Sequence, residues 1–271
     1  MEQGAESGRP EEPARLAVED VVKRFRGLRA LDGVTLQVGE GEIVGLIGPN
    51  GSGKTTLLNV ASGVLRPTSG RVIVGEIDAT GRKPHDLAHL GIGRTFQQIR
   101  LFAEMTVEEN VEVGAVARAH DRERVPALLD RLGLTPVRER FATTLPYGQQ
   151  RRVEIARALA GRPRFLLLDE PGAGMNEAES DALLATIRQI RDDEGCAVLV
   201  VDHDLRLIMR LCERIHVLAE GKTICEGTAD EVRRDPAVIQ AYLGTAAAAP
   251  TPPPTADTGT TEGATRAEEE E

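Results

Sequence analysis

The sequence predicts an α/β fold in which a parallel sheet is preceded by a β-rich N-terminal part and interrupted by an α-helical insert. Two runs, residues 165–168 and 197–201, are continuously apolar and bounded by charged residues. Such runs are typical of strands whose sheet is covered by helices on both faces. Residues 106–119 and 126–132 have helical patterns with few strand patterns between them. We therefore place the helical insert at about residues 98–160.

The beginning of the chain supplies the other elements of the predicted core. Residues 16–22 and 35–38 have strand patterns and predict the β-rich start. Residues 43–47 form a short apolar run that leads into a glycine-rich loop and then into a helical pattern at 55–62. A further strand is predicted at 71–74, and no internal repeat is evident.

The two ends of the chain differ from its middle in composition. Of the formal net charge of −10, residues 1–13 carry −3 and residues 245–271 carry −5, so the middle carries −2. The Ala-, Pro- and Thr-rich end cannot bury enough apolar area to offset the entropy lost on ordering it. We expect a disordered N-terminus at 1–14, one domain at 15–244, and a disordered acidic tail at 245–271. Nothing in the middle suggests the basic patch of a nucleic-acid-binding protein, so we expect no nucleic-acid partner.

Cysteine content and hydropathy limit the class of protein further. Cys196, Cys212 and Cys225 form no C-x-x-C pair, which favours reduced thiols in the cytosol over a zinc site. Aromatic residues make up only 3% and tryptophan is absent, so the core must be aliphatic. No apolar run approaches the roughly 20 residues that span a bilayer, and no signal peptide is evident. We expect a soluble chain that could still dock onto a membrane protein.

A phosphate-binding loop is the first motif that indicates a function. Residues 48–56, Gly-Pro-Asn-Gly-Ser-Gly-Lys-Thr-Thr, match G-x-x-x-x-G-K-[ST] between a predicted strand and a predicted helix. Backbone N–H groups of such a loop face one centre, and the helix start adds a positive end. We expect the ammonium group of Lys54 at the β- and γ-phosphates and the Thr55 hydroxyl at Mg²⁺. The residues predicted to bind the nucleotide here are Gly48, Pro49, Asn50, Gly51, Ser52, Gly53, Lys54, Thr55 and Thr56.

The loop alone does not distinguish kinases, GTPases and ATPases. The guanine-binding pattern N-K-x-D is absent, which disfavours a GTPase. A glycine-rich turn that matches by chance is disfavoured by the strand before the loop and the helix after it.

Two acids and a histidine follow predicted central strands. Asp169 and Glu170 end the strand at 165–168, and parallel strands bring their carboxyl ends to one ligand crevice. Asp169 suits a Mg²⁺ ligand, and Glu170 suits the group that polarises the attacking water. His203 follows the strand at 197–201 and could hydrogen-bond the γ-phosphate. A solvated strand end is the alternative for the acids. The i,i+4 pair His85 and His89 is more often chance than a metal site.

Two other segments stand out. Gln97 lies where the core gives way to the helical insert, so its side chain could touch Mg²⁺ or a water bound to it. Residues 145–149, Leu-Pro-Tyr-Gly-Gln, place one of the chain's two tyrosines in a turn directly before a helix that we expect to begin near Gln149.

The order of these motifs, with Ala-Gly-Met-Asn at 173–176, resembles the ATP-binding subunits of ABC transporters over residues 16–244. The resemblance implies a P-loop NTPase (RecA-like) core with a β-rich N-terminal subdomain and an inserted α-helical subdomain. It also implies ATP and Mg²⁺ as ligands, and a head-to-tail dimer in which the turn at 145–149, the signature turn, contacts the nucleotide of the other subunit. The residues that it assigns to that contact are Tyr147, Gly148, Gln149 and Asn176.

The chain departs from the family pattern at three of these positions. Pro146 and Tyr147 stand where the family commonly has serine and glycine, and Asn176 stands where many relatives have aspartate. The serine hydroxyl contact is therefore absent, and the Gly148 backbone and the helix start remain. The family also places an aromatic ring before the phosphate loop to stack on adenine, and Phe25 stands at that position. A core phenylalanine is the alternative for Phe25.

Three segments resemble one subgroup, the ATP-binding subunits of branched-chain amino acid importers: Pro-Tyr-Gly-Gln-Gln-Arg-Arg at 146–152, Arg-Thr-Phe-Gln at 94–97, and the stretch 226–244. The resemblance implies an ATPase that powers an importer of branched-chain amino acids or related small solutes. It implies a peripheral protein at the cytoplasmic face of the cell membrane. Its partners would be a second ATP-binding subunit, identical or related, integral membrane permease subunits and, indirectly, an extracytoplasmic substrate-binding protein. Residues 112–144 are shorter than in some importers of this subgroup, which leaves the solute open.

Two other functions remain at this point. An ABC-type ATPase of translation or DNA repair usually has two fused ATP-binding cores or long coiled coils, whereas this chain has one core and a short insert. A small-molecule kinase would share the phosphate loop but would not need residues 145–149.

Overall fold

The computed structural model describes residues 15–116 and 122–247, with side chains described up to Tyr242 at the C-terminal end. The predicted disordered N-terminus lies outside the described residues, as does the tail beyond residue 247. The end of the helix predicted at 106–119 also lies outside them. The last described helix runs to Ala247, three residues beyond the predicted domain end.

The β-strands of the described residues are, in chain order, β1 (Arg15–Phe25), β2 (Leu28–Gly39), β3 (Ile43–Ile47), β4 (Ser69–Val74), β5 (Ile77–Asp78), β6 (Ile92–Arg94), β7 (Phe165–Asp169), β8 (Ala197–Val201), β9 (Arg214–Ala219) and β10 (Lys222–Gly227). The α-helices are α1 (Lys54–Ala61), α2 (Pro84–His89), α3 (Val107–Ala115), α4 (Val125–Arg131), α5 (Tyr147–Ala160), α6 (Glu177–Glu194), α7 (Leu205–Leu211), α8 (Ala229–Arg234) and α9 (Pro236–Ala247). Short 3-10 helices lie at Arg122–Arg124, Thr135–Val137 and Ala142–Thr144.

The strands form two sheets. β2, β1, β4 and β5 form an antiparallel sheet in that order, which is the predicted β-rich part. The second sheet has the order β10-β9-β3-β8-β7-β6, and all its neighbours are parallel except β9 and β10. Because β3, β8 and β7 are parallel and adjacent, their carboxyl ends lie side by side at one edge of the sheet.

The central strands are buried on both faces, which is why their sequences are continuously apolar. On one face, alternate residues such as Leu46 and Leu199 pack with α1 and with the antiparallel sheet. On the other face, Ile47 and Val200 pack with α5, α6 and α7. Each fully buried aliphatic side chain contributes about 1.5–3 kcal/mol, so these two cores fix the register of the strands that carry the site.

The helical insert consists of α3, α4 and α5. Thr106 caps α3, since its side-chain oxygen accepts a hydrogen bond from the Glu109 N–H and the Glu109 carboxylate accepts one from the Thr106 N–H. α5 begins at Tyr147, two residues before the expected start near Gln149. Pro146 is the N-cap, and its carbonyl oxygen accepts the N–H groups of residues 149 and 150, both at 3.0 Å. The tyrosine therefore lies in the first turn of the helix and not in the turn before it.

In the described parts of the chain, none of the helices combines the length and the apolar composition needed to cross a membrane.

Candidate active site

The carboxyl ends of four adjacent strands bring the predicted site residues together. The phosphate loop follows β3, His203 follows β8, Asp169 and Glu170 lie at the end of β7, and Gln97 follows β6 by three residues. A cavity of about 560 Å³ opens above these strand ends. It is lined by the phosphate loop, by the segments with Gln97 and Glu170 and by the end of β1, but not by His203; the predicted site residues in its wall are Phe25, Asn50, Gly51, Ser52, Gly53, Lys54, Thr55, Thr56, Gln97 and Glu170.

Two glycines of the phosphate loop are required by close backbone contacts. A Cβ at Gly48 would lie 2.0 Å from the carbonyl oxygen of Leu218, and one at Gly53 would lie 2.6 Å from the carbonyl oxygen of Ala30. Both glycines have positive φ, 149° and 107°, which other residues rarely adopt. The N–H of Gly221 donates to the Ser52 carbonyl at 3.0 Å. The loop is therefore held from two sides, by β2 and by the turn between β9 and β10.

Lys54 is the first residue of α1 and lies under the loop. Its ammonium group donates to the carbonyl oxygens of Gly48 at 2.6 Å and Pro49 at 3.0 Å. Burial lowers the pKa of Lys54, while the carboxylates of Glu170 and Asp169 act in the opposite direction. Thr55 is exposed at the start of the helix and lines the cavity. The loop therefore presents a cation, a hydroxyl and a helix N-terminus to the same space, which suits an anion such as a phosphate.

Asp169 is a buried carboxylate, one oxygen of which lacks a hydrogen bond. It is 2% exposed, and its Oδ2 has no hydrogen-bond partner in the described part of the chain. The Arg94 guanidinium lies 3.7 Å from that oxygen. Burial raises the pKa of Asp169, and Arg94 opposes this shift. The Thr95 hydroxyl accepts the Asp169 N–H at 3.2 Å and so fixes the end of β7. A buried carboxylate oxygen of this kind fits a hard cation, which would supply the missing partner.

Glu170 lies between two other predicted site residues. Gln97 Nε2 donates to Glu170 Oε1 at 3.4 Å, and His203 Nδ1 lies 3.7 Å from the same oxygen. The Glu170 backbone has a positive φ of 49°, and its N–H donates to the Val201 carbonyl at 2.7 Å. His203 is 69% exposed, so its ring can reach a ligand in the crevice. The structure therefore groups a carboxylate, an amide and an imidazole at the open side of the strand ends.

Phe25 lines the same cavity and is not a core residue. It ends β1, is 41% exposed, and has the Lys23 ammonium group 5.0 Å from its ring centroid. Leu28, Ala30 and Glu220 line the cavity beside it. The exposed face of the ring is available for a flat ligand group that extends from the phosphate loop.

The other predicted site residues form a separate surface. Tyr147, Gly148, Gln149 and Asn176 do not line the 560 Å³ cavity. The Tyr147 ring lies against the backbone of Gly174, where an added Cβ would be 2.7 Å from the ring. Asn176 caps α6 by accepting the Glu179 N–H at 2.9 Å. The start of α5 and the segment before α6 therefore form one surface, which we call the cap surface (residues 146–149 and 173–176).

A buried ion pair that the sequence analysis missed connects these two parts. The Arg151 guanidinium, 0% exposed, donates to the carbonyl oxygens of Phe96 at 2.5 Å and Gln97 at 2.8 Å, and to the Tyr147 hydroxyl at 3.4 Å. It also pairs with Glu154 at 2.7 Å, and Glu154 accepts the Phe96 N–H at 3.3 Å. Burial raises the pKa of Glu154, while Arg151 acts in the opposite direction. The only signal in the sequence is an i,i+3 Arg–Glu pair, which is common on exposed helices.

Replacing Arg151 by methionine is expected to lower the free energy of unfolding by about 3–5 kcal/mol, because the buried Glu154 carboxylate loses its closest partner and keeps only Arg157 at 4.0 Å. Urea denaturation measures this loss. The double change Arg151→Met with Glu154→Leu should cost less than Arg151→Met alone, since no buried charge remains. Arg152→Ala, on the next and partly exposed residue, is the control. A small loss for Arg151→Met, equal to that of the control, would contradict the role of this pair.

Comparisons with known proteins place the chain in a family. Residues 31–173 match the family model described as ABC transporter, and residues 222–248 match one described as branched-chain amino acid ATP-binding cassette transporter. The high-affinity branched-chain amino acid transport ATP-binding protein LivG of Salmonella typhimurium is 40% identical over 250 residues, which cover 85% of this chain and 98% of LivG.

Solved structures give the same result. The ADP conformation of MJ1267, an ATP-binding cassette of an ABC transporter, superposes with a TM-score of 0.78 at 33% identity and covers 85% of this chain and 99% of MJ1267. The dimeric post-hydrolysis state of the ATP-binding cassette MJ0796, bound to ADP and Pi, has a TM-score of 0.72 at 30% identity and covers 79% and 98%. The predicted P-loop NTPase fold is confirmed, and transport is supported over a role in translation or DNA repair. The chain belongs to the ABC transporter family, as an ATP-binding and ATP-hydrolysing subunit.

Proposed function

We propose that this chain is the ATPase subunit of an importer for branched-chain amino acids or related small solutes, and that it works as a dimer with two ATP molecules between facing subunits. The observation that carries the proposal is the division of the site residues into two groups. The cavity at the strand ends is lined by the phosphate loop and a carboxylate, whereas the residues of the cap surface do not line it. A second subunit that offers its cap surface would complete the site.

The phosphate loop binds the nucleotide in this proposal. Lys54 exchanges its bonds to the loop carbonyls for bonds to the β- and γ-phosphates, and the backbone N–H groups of residues 50–55 surround the phosphate oxygens. The start of α1 contributes about 0.3–1 kcal/mol toward an anion at the surface, and more when the second subunit excludes water. Phe25 stacks on the adenine ring.

Glu170 is the proposed group that orients and polarises the attacking water. Its carboxylate already contacts Gln97 and lies close to His203, so both side chains can hold the water or the γ-phosphate beside it. The positive φ of Glu170 aims its side chain differently from that of Asp169. The two adjacent acids therefore take different roles, one toward the metal and one toward the water.

Mg²⁺ is the proposed cofactor. Asp169, with its unpartnered buried oxygen, Thr55, with its exposed hydroxyl, and Gln97, with its amide oxygen, offer the oxygen ligands that Mg²⁺ prefers. When bound, Mg²⁺ would neutralise charge on the phosphates. Among the described residues, no three His, Cys, Asp or Glu side chains are arranged so that they alone could hold a metal ion.

The cap surface is proposed to close the site of the neighbouring subunit. Gly148 and Gln149 lie in the first turn of α5, at the positive end of the helix, which attracts an anion. Tyr147 is 44% exposed and presents a flat ring where the family commonly has glycine, next to Pro146 at the serine position. Asn176 would hydrogen-bond across the dimer. ATP then acts as a ligand that binds the closed dimer better than the open one, so hydrolysis releases the closure.

The proposed membrane partner binds at the helical insert. A groove of about 370 Å³ lies between the insert and the core, and Arg94, Arg100, Phe102 and Arg157 line it. Phe102 is 46% exposed and carries the Arg157 guanidinium 5.6 Å from its ring centroid. Arg94 also contacts Asp169, so the groove and the site share a residue. A cytoplasmic helix of a permease subunit would fit here and place the chain at the cytoplasmic face of the cell membrane.

Uptake by a reconstituted transporter tests the proposed function. The chain is co-expressed with candidate permease subunits, a second ATP-binding subunit and a substrate-binding protein, and the complex is placed in liposomes that contain Mg-ATP. We expect uptake of radiolabelled leucine that depends on internal ATP and exceeds uptake of glutamate. Recovery of the chain with ribosomes or DNA, and no membrane partner, would contradict the proposal.

Phe25→Ala is expected to weaken ATP binding about fivefold, which corresponds to about 1 kcal/mol of stacking. Phe25→Tyr should retain the affinity because a flat face is all that stacking requires. Phe141→Ala is the matched control, since Phe141 is 54% exposed and does not line the cavity. Equilibrium binding of a fluorescent ATP analogue measures the three variants. If Phe25→Ala and the control bound the ATP analogue with equal affinity, Phe25 would not contribute to nucleotide binding.

A further inference from the structure

A second cavity lies behind the active site, between α6, α7 and the C-terminal helices α8 and α9. Its volume is about 660 Å³, larger than that of the nucleotide cavity and within the range of about 300–1,000 Å³ that is typical of small-molecule sites. We propose that this cavity is an effector site for an aliphatic zwitterion, namely an amino acid or short peptide with branched aliphatic side chains. The proposal goes beyond the function given above and does not depend on which solute the transporter carries.

The inner wall of the cavity is aliphatic. Ile47, Leu184, Leu207, Val232 and Val238 line it and are buried. Two of the chain's four methionines, Met175 and Met209, complete the wall, and their flexible thioethers allow it to adapt to different side chains. The wall therefore favours aliphatic ligand groups over polar ones.

The mouth of the cavity carries both signs of charge in equal number. Three acids (Glu177, Asp181 and Asp204) and three arginines (Arg206, Arg210 and Arg233) line it. Four of these side chains are paired with each other, Arg210 with Asp181 at 2.7 Å and Arg206 with Asp204 at 3.7 Å.

The two charged side chains of the mouth that are not in these ion pairs explain why the cavity would prefer a zwitterionic ligand. Within residues 15–116 and 122–247, the Glu177 carboxylate and the Arg233 guanidinium have no ion-pair partner. A ligand with one ammonium and one carboxylate group can pair with both. A ligand with a single charge leaves one of them unpaired, and it adds a net charge to a mouth that is neutral without it.

The cavity contacts the active site through three segments. Ile47 directly precedes Gly48 of the phosphate loop, and Met175 lies in the cap surface. Asp204 and Leu205 directly follow His203. In addition, the partly buried Tyr242 lines the cavity from α9 and interacts with the backbone of Gly48. A ligand that fits one arrangement of these helices better than another would therefore shift the affinity of the phosphate loop for nucleotide.

Calorimetric titration of the full-length chain tests the site in two arms, one with L-leucine and one with L-leucyl-L-leucine. We expect saturable binding in at least one arm. Isovaleric acid and isopentylamine, which each keep the aliphatic body and one charge, should bind at least about tenfold more weakly. The stronger of the first two ligands identifies the source, amino acid or peptide. No saturation by either zwitterion at about 10 mM, or equal binding of the singly charged analogues, would overturn the proposal.

Three variants locate the binding. Arg233→Gln should lower the affinity for the zwitterion about five- to tenfold. Arg234→Gln changes the next residue, which does not line the cavity, and should leave this affinity unchanged. Ser180→Phe places a ring into the cavity from α6 and should abolish binding while ATP binding persists. Wild-type affinity in both Arg233→Gln and Ser180→Phe would show that the ligand binds elsewhere and would overturn the site.

Reciprocal coupling tests the effector role. In the Glu170→Gln variant, in which we expect ATP not to be consumed, saturating ATP should change the zwitterion affinity at least about twofold. Saturating zwitterion should change the ATP affinity by the same factor. Ligand binding with no change in either affinity would overturn the effector role. Loss of leucine uptake in liposomes with intact ligand binding would contradict only the proposed function.

Discussion

Glu170→Gln is expected to lower the rate of ATP hydrolysis about 10²–10⁴-fold, because an amide cannot accept a proton from the attacking water. ATP binding should be retained, since the phosphate loop and Lys54 are unchanged. With hydrolysis blocked, ATP should hold two subunits together, so the variant should elute as a dimer with Mg-ATP and as a monomer without it. Phosphate release and light scattering after gel filtration measure the two effects.

Glu104→Gln is the control for this change, because Glu104 is exposed and does not line the nucleotide cavity. Two results would contradict the role of Glu170. One is a rate of ATP hydrolysis within a few-fold of the wild-type rate, which would show that another group polarises the attacking water. The other is a strictly monomeric variant under saturating Mg-ATP, even with the cognate membrane subunits present, which would contradict the shared site.

Lys54→Ala is expected to weaken ATP binding by about 2–5 kcal/mol, or about 30- to several-thousandfold, because the phosphates lose a partly buried cation. Hydrolysis should fall with it. The fold should persist, since Lys54 bonds only to the two loop carbonyls of residues 48 and 49 in the described structure. Equilibrium dialysis with labelled ATP measures the binding, and circular dichroism confirms the fold.

The matched control for Lys54 is Lys83→Ala, which removes an exposed lysine before α2. The variants Lys54→Ala and Glu170→Gln together separate ATP binding from ATP hydrolysis. Lys54→Ala should lose binding and hydrolysis, whereas Glu170→Gln should lose hydrolysis alone. ATP affinity of Lys54→Ala within threefold of the control would show that the loop does not hold the phosphates as proposed.

The sequence predicts the core of this fold well where burial on both faces leaves a pattern. β3 and β8 are recognisable because each is a run of five successive apolar residues, all of them buried. β6 has only three residues and β5 only two, which is too short for any periodicity to be measured. The sequence predicts the start of α5 two residues too late, because a proline before a tyrosine indicates a turn, whereas the proline is the helix cap in the structure.

The residues of the candidate site also differ in how well the sequence predicts them. The phosphate loop and the Asp169–Glu170 pair are contiguous in sequence, so a motif can reveal them. The bonds from Arg151 to the carbonyls of Phe96 and Gln97 join residues 54 and 55 positions apart, and no local pattern encodes them. The contact between Tyr147 and the Gly174 backbone is also tertiary. The sequence therefore predicts which residues bind a ligand better than it predicts which residues hold them in place.

The separation of the cap surface from the nucleotide cavity has a genetic consequence. In the proposed dimer, a chain with a damaged cap surface keeps an intact nucleotide cavity of its own. The site that it impairs is the one formed with the cavity of the other subunit. Such an allele would be dominant over a wild-type copy, since mixed assemblies carry at least one incomplete centre. Damage to the cavity and damage to the cap surface, placed on different chains, would fall on the same centre and leave the second one intact.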